Sequence, residues 1–418
     1  MQPSPPGDLQ AQLADLRRRI ASAAKRADDH LAEIRARAAV EEPLDRFVTG
    51  REVETVHGKH FETERLWPHT QRHGSMEISR LQELPADLLR EISQDSIAGA
   101  PPESWAFLDT ETTGLAGGSG TCAFMIGVGR IRADGFHVRQ FFIRDYPEEA
   151  SVLSALTESL ADAQVLVTYN GKSFDVPLLE TRYRMSRARP PFERLAHLDL
   201  LYGARRLWRF RFESCRLVEL ESRILGHDRE GDVPGAQIPE IYFDFVRTGR
   251  AARLAPVFVH NALDIVSLAC LTGIVPWAFR EEGGVAELRH AAEFMALGRW
   301  IEQAGQLERA RDLYREAIRR PLRDDLLYRT MWDLALLEKK LGAHDASVAL
   351  LSDLATIRNE YRAEALEALA KHYEHRERNF AMALEFTDAA LALEPSEELH
   401  KRRARLAKRK GQTVLRLI

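Results

Sequence analysis

The sequence has little cysteine. Cys122, Cys215 and Cys270 are the only three in 418 residues, and they lie far apart with no Cys-x-x-Cys pair. That excludes a disulfide framework and a thiolate zinc ribbon, and fits a reducing, cytoplasmic setting. Charge of one sign is also lacking: 59 Lys+Arg against 63 Asp+Glu leave a net charge of -4. Any nucleic-acid contact must therefore come from local basic patches and not from a global field. The opening residues, MQPSPPGDLQAQLADLRRR, have no apolar core of the kind that marks a secretory signal. No uninterrupted apolar run is long enough to cross a bilayer, and no membrane is expected. The nearest approach, Val257 to Phe279, carries His260 and Asp264, so it reads as a buried core helix with polar residues on one face.

What remains is an ordinary globular composition, 45% apolar and 29% charged, at a length that suits two or three domains. Residues 1–45 read as an N-terminal helix, with helical spacing of apolar residues from 8 to about 40. Residues 46–100 read as an irregular segment expected to pack on the domain that follows. Residues 101–282 read as an α/β domain with a mixed sheet. The strands WAFLD, CAFMIGVGRI and FHVRQFFIR form an antiparallel meander, followed by a helix, the strand QVLVTYN, a helix from Phe174, the strand HLDLL and further helices. Residues 285–410 read as all-helical. Gly305, Ala310, Tyr314 and Ala317, and again Ala383, Ala390 and Pro395, resemble the tetratricopeptide helix–turn–helix consensus.

Three segments carry chemistry. Asp109 and Glu111 end the apolar run WAFL; two residues apart on a strand, they point to one face. In VTYNGKSFDVPLL, Asp175 begins a helix, where a helix N-cap is the alternative role for it or for Ser173. The GKS there is not a phosphate loop, because Leu166 stands where the first glycine would be required. In HNALDIVSL, His260 and Asp264 sit at i and i+4, on one helix face. Gathering four carboxylates is costly unless cations lie between them, and hard divalent cations take oxygen ligands.

FLDTETTGL, YNGKSFDVPLL and HNALDIVSL, in that order, resemble the three exonuclease motifs of the DEDD (DnaQ-like) superfamily, which has a ribonuclease H-like fold. HLDLLYGARRLW, SCRLVELESRILG and DVPGAQIPEIYFDFVRTG resemble the YprB-like branch of ribonuclease H-like proteins. The resemblance spans about Trp105 to Phe279. It implies that Asp109, Glu111, Asp175 and Asp264 bind two Mg2+ or Mn2+ ions and that His260 acts in catalysis with them. His260 precedes Asp264 by four residues, the spacing of the superfamily's tyrosine subclass occupied by the residue of its histidine subclass. Thr112, Asn170 and Phe174, within the first two motifs, are expected to touch nucleic acid.

Basic and aromatic residues interleave in LYGARRLWRFRFESCR, so Arg205, Arg206 and Arg209 are expected to pair phosphates while neighbouring rings stack bases. The alternative there is a set of arginines lying over apolar surface. Arg182, Arg184, Arg187 and Arg189 add charge after the second motif. The reading is a metal-dependent 3′→5′ exonuclease acting on the 3′ ends of single-stranded or frayed DNA or RNA, with helical repeats that bind a protein partner. The rival is a catalytically inactive nucleic-acid-binding scaffold acting through its repeats. A transposase-like endonuclease on the same fold suits the placement of the motifs less well.

Overall fold

The computed structural model describes residues 43–84, 99–114, 120–277 and 288–417, with side chains as far as residue 410. The helix expected near 8–40 lies outside these residues, as does the boundary expected near 282. The chain forms two compact units. The first comprises residues up to Glu83, Asp95–Asp199 and Glu221–Cys270; the second comprises Leu84–Gln94, Leu200–Leu220 and everything from Leu271.

The first unit is built on a seven-stranded mixed sheet. Its strands are β1 (Arg51–Thr55), β2 (Gly58–Pro68), β5 (Trp105–Thr112), β6 (Ala123–Arg132), β7 (Gly135–Phe142), β8 (Val165–Thr168) and β9 (Ala196–Asp199), in the order β1-β2-β7-β6-β5-β8-β9. A small hairpin, β3 (Arg72–His73) and β4 (Met76–Glu77), stands apart. The β5-β6-β7 meander is antiparallel, with a two-residue turn between β6 and β7, and β8 and β9 run parallel to β5 through helical crossovers. The crossovers carry α1 (Glu149–Ser159) and α2 (Asp175–Met185), and α4 (Ile238–Thr248) and α5 (Ala255–Trp277) follow. The intervening α3 (Leu200–Trp208) belongs to the second unit.

Alternation along the strands divides the core into two layers. Ala106, Leu108, Ile126, Val128 and Phe141 pack with Val152, Leu156 and Leu179 of α1 and α2. Phe61, Met125 and Phe142 pack with Tyr242 of α4 and Val257 and Phe258 of α5. Most of α5 is apolar enough to cross a bilayer by composition, but 72% of its most apolar window is buried in protein. It is the core helix the sequence describes.

The expectation of an irregular segment over 46–100 is corrected: residues 51–68 form the β1–β2 hairpin, and β2 extends the sheet by pairing antiparallel to β7. The interior of β2 is polar, which hid it. His60, Phe61, Glu62 and Thr63 are all buried. His60 Nδ1 meets Ser151 Oγ at 2.8 Å, Arg139 donates to Glu62 at 2.8 Å, and Thr63 donates to Gln140 at 2.8 Å. Buried polar groups with partners cost little, yet they erase the hydrophobic alternation by which strands are recognised.

The second unit is helical: α3, then α6 (Ala291–Gln303), α7 (Leu307–Arg319), α8 (Asp324–Lys340), α9 (His344–Thr356), α10 (Arg362–His375), α11 (Phe380–Leu393) and α12 (Glu397–Leu417). Met331, Leu351, Leu354, Leu366, Leu369 and Ala390 form one of its cores. The α3 stretch, expected within the 101–282 domain, packs here: Trp208 Nε1 donates to Glu293 at 3.1 Å and Arg211 pairs with the same carboxylate at 2.6 Å.

Candidate metal centre

Strand β5 is buried through Leu108 and opens at Asp109. Its odd residues Phe107, Asp109 and Glu111 face the α5 layer; its even residues Ala106, Leu108 and Thr110 face the α1–α2 layer. Asp175, the first residue of α2, is reached from that second face: Thr110 Oγ1 donates to Asp175 Oδ1 at 2.5 Å. Carboxylates from both layers thus meet at one strand end. The register slips between Glu111, opposite Met125, and Thr112, opposite Ala123, so a bulge in β6 lies beside the acids.

Helix α5 approaches this strand end because β6 offers glycine. Gly127 lies opposite Asp109, and a Cβ on it would fall 2.2 Å from Ile265 Cδ1 and 2.3 Å from Asn261 Oδ1. The close approach lets Asn261 Nδ2 donate to Asp109 Oδ2 at 2.9 Å, while Asn261 Oδ1 accepts from Gln140 Nε2 at 2.9 Å. Gln140 in turn accepts from Thr63. An amide engaged at both its oxygen and its nitrogen therefore orients Asp109.

One turn of α5 places His260 beside Asp264. The ligand atoms of Glu111, His260 and Asp264 lie within 4.8 Å of one another. His260 Nδ1 sits 2.8 and 2.9 Å from the two oxygens of Asp232, and its Nε2 lies 3.5 Å from Asp264 Oδ2. Arg229 spans three carboxylates: Glu221 at 2.6 Å, Asp264 at 2.5 Å and Asp232 at 3.3 Å.

The electrostatics show what this cluster lacks. Burial raises the Asp109 carboxyl well above its usual range, and the charges of Asp264, Glu111 and Asp175 push it further. Burial raises Glu111 to about 8, against the pull of the His260 imidazole, and raises Asp175 to about 6 against the Thr110 hydrogen bond. Burial raises Asp264 as well, with Arg229 opposing it. Burial pulls His260 down, but Asp264, Glu111 and Asp232 outweigh it and leave the imidazole above its ordinary value. Four mutually repelling, partly desolvated carboxylates form an oxygen donor set that fits divalent cations, which would replace the retained protons.

Residues 106–275 match the RNase H superfamily. Over 356 residues the chain is 32% identical to the protein YprB of Bacillus subtilis (strain 168), an alignment covering 82% of this chain and 84% of that one. The chain belongs to the family of YprB, and its residues 106–275 form an RNase H superfamily domain. The strand end of this RNase H-like unit, where β5 meets β8 and α5, is where the four acids converge.

The other expected site residues of the RNase H-like unit are placed as follows. Thr112 Oγ1 donates to the Gly114 carbonyl at 2.9 Å. Asn170 takes a left-handed conformation (φ 68°), and its backbone N–H donates to Asp199 Oδ1 at 2.7 Å, with that of Lys172 on Oδ2 at 3.0 Å. Asp199, buried at the end of β9, thereby fixes the turn leading to Asp175. Phe174 is 55% exposed next to Asp175, an aromatic face with open solvent before it. Of the arginines in the last turn of α2 and just after it, Arg182 makes a part-buried pair with Glu149 at 2.6 Å, whereas Arg184 and Arg189 make exposed pairs with Glu180 at 2.9 Å and Glu193 at 3.3 Å. A cavity of about 860 Å3 lined by Phe47, Arg65, Phe258 and Val259 holds none of the four acids.

Arg205, Arg206 and Arg209 are exposed on α3 and just after it, in the second unit. Arg206 lies 5.1 Å over the Trp300 ring and Arg209 lies 4.5 Å over Phe210. The basic α12 stretch His400–Lys410 is partly spent on internal pairs, with Arg402 and Arg405 on the buried Glu374 and Arg403 on Asp388. Asn261, Asp232 and Arg229 are site residues the sequence reading did not single out. Asn261 stood one position from His260 within a motif. Asp232 and Arg229 lie in the loop HDREGD, which has no period to place it.

Proposed function

We propose that the protein is a metal-dependent 3′→5′ exonuclease that hydrolyses phosphodiester bonds of single-stranded or frayed DNA or RNA. The observation that carries this reading is the convergence of Asp109, Glu111, Asp175 and Asp264 on one strand end beside a histidine oriented by Asp232. Asp109 and Glu111 from β5, Asp175 from α2 and Asp264 from α5 would hold two Mg2+ or Mn2+ ions. Such ions align a phosphate, lower the pKa of an attacking water and stabilise the leaving oxygen.

The chain's own groups do the rest. Asn261 holds Asp109 in one rotamer. Arg229 occupies one oxygen of Asp264 and leaves Oδ2 toward His260. With Nδ1 committed to Asp232, the neutral His260 carries its proton there and presents an unprotonated Nε2, suited to accept a proton from water or to orient it. Phe174, exposed beside the acids, offers a stacking surface for a terminal base. The helical unit, with tetratricopeptide-like pairing of its helices, would bind a protein partner.

The test is degradation of 3′- and 5′-labelled single strands of DNA and RNA with Mg2+ or Mn2+, with chelator as control. Loss of cleavage in both Asp109→Asn and Asp264→Asn, with folding retained, supports the reading. Turnover unchanged in both ends it. A parent protein that binds the strands yet never cleaves them supports the scaffold instead.

A further inference from the structure

A second cluster lies apart from the four acids. His73, in the β3–β4 hairpin, Glu221, and His227 bring one ligand atom each within 4.8 Å of one another. Both imidazoles aim the same nitrogen at the same oxygen: His73 Nε2 lies 3.4 Å and His227 Nε2 3.9 Å from Glu221 Oε1. The rings are 4.3 Å apart between centroids. In a tetrahedral site with bonds of roughly 2.0–2.1 Å, neighbouring ligand atoms are roughly 3.3–3.4 Å apart. The His73–Glu221 edge matches that value, the His227–Glu221 edge is longer by about half an ångström, and all three atoms lie within 4.8 Å of one another, so a small rotation of the partly exposed His227 ring closes the set.

The cluster is held in place from outside. Gly74 has φ +57°, and a Cβ on it would fall 2.1 Å from the Leu225 carbonyl oxygen. Ser75 N–H donates to that oxygen at 2.6 Å, so the hairpin sits tightly on the turn that begins at Glu221. Arg229 Nε fixes Glu221 Oε2 at 2.6 Å, leaving Oε1 to the histidines and to the Ser267 hydroxyl at 2.8 Å. Ser267 Oγ also lies 2.7 Å from His73 Nε2. The side chains of His73 and Glu221 are buried, whereas that of His227 is 32% exposed and gives access from solvent.

We propose that His73, Glu221 and His227 form a transition-metal site, separate from the carboxylate centre, that takes Zn2+ or a cation of similar preference. Two imidazole nitrogens and one carboxylate oxygen favour zinc over magnesium, which prefers an all-oxygen octahedron. Water would complete the fourth position, while the Ser267 hydroxyl keeps its hydrogen bond to Glu221. Because Arg229 bridges Glu221 to Asp264, the bound ion would fix the arginine that also steadies the carboxylate centre.

The test uses the full chain carrying Asp109→Asn and Glu111→Gln, which weakens binding at the carboxylate centre and makes the outcome independent of nuclease activity. After chelator treatment this protein is titrated with Co2+ and then Zn2+, read by calorimetry and by visible absorption. One equivalent of Co2+ with the intense bands of four-coordination, displaced by Zn2+, is expected. Adding His227→Ala, at the most exposed ligand, or His73→Ala should weaken binding by at least tenfold and abolish those bands, with circular dichroism unchanged. Zinc should raise the unfolding midpoint only where all three ligands are present. Absence of a tight equivalent in the parent background, or binding unchanged by His227→Ala, would overturn the site.

Discussion

Asn261 donates its side-chain amide to Asp109 across the gap between α5 and β5, at 2.9 Å. The other end of that amide accepts from Gln140, so neither amide nor carboxylate is free to turn. Groups that orient a metal ligand commonly contribute about 10–100-fold to affinity or activity. On the proposed function, Asn261→Ala should lower strand-cleavage turnover by about 10–100-fold while Asp109 itself remains. Asn261→Asp should be worse, because it places a fifth carboxylate against Asp109. Turnover and the Mg2+ concentration for half-activity, measured on a 3′-labelled strand, check both. Parental values for Asn261→Ala would remove the positioning role.

The raised carboxyls give a stability profile with a definite sign. Glu111 rises from 4.5 to about 8 and Asp175 from 3.8 to about 6 on folding. Between the unfolded and folded values the native protein holds protons that the unfolded chain has released, so stability in chelator falls as pH rises from about 4.5 to 8. Glu111→Gln should flatten the upper part of that fall, and Mg2+ should restore stability to the parent most strongly near pH 8. Unfolding midpoints in chelator and in Mg2+ across pH 5 to 8.5 test this. A Glu111→Gln profile parallel to the parent would contradict it.

Asp232 supports the charged form of His260 along with Asp264 and Glu111. Removing its charge should lower the imidazole's pKa, and the acid limb of the pH–rate profile should move to lower pH in Asp232→Asn. Turnover should also fall, since an amide can donate to Nδ1 as well as accept from it and no longer fixes the tautomer. His260→Ala should cost about 10²–10⁴ in rate if proton transfer is its role. An Asp232→Asn limb at the parental pH would separate Asp232 from that proton.

Phe174 is the exposed aromatic beside the acids. Phe174→Ala should weaken binding of a short single strand by about 1–3 kcal/mol, the usual effect of losing one stacked base. Fluorescence anisotropy in Ca2+, with cleavage suppressed, measures it. Affinity within twofold of the parent would place the strand elsewhere.

The sheet centre, the meander, the crossovers and the four acids were legible because buried strands and an amphipathic helix leave periodic traces. WAFL, CAFMIGV and QVLV each show one. Strand β2 was illegible because His60, Glu62 and Thr63 occupy its interior as hydrogen-bonding groups. Asp232 and Arg229 were illegible for another reason: their role depends on where an aperiodic loop returns to α5. The second-unit membership of α3 was hidden by chain continuity, since it shows in distant contacts such as Trp208 and Arg211 meeting Glu293.

The β1–β2 hairpin has a practical consequence for dissection of the chain. By covering β7, it keeps the backbone of Val138–Phe142 from ending in water as an open ladder. A fragment begun at residue 101 would bare that ladder along HVRQFF, a template for edge-to-edge aggregation. In the intact chain the outermost strand is β1, whose Arg51, Glu52 and Glu54 are exposed and charged. The smallest soluble fragment carrying the RNase H-like unit should therefore begin upstream of Arg51, with insolubility marking any later start.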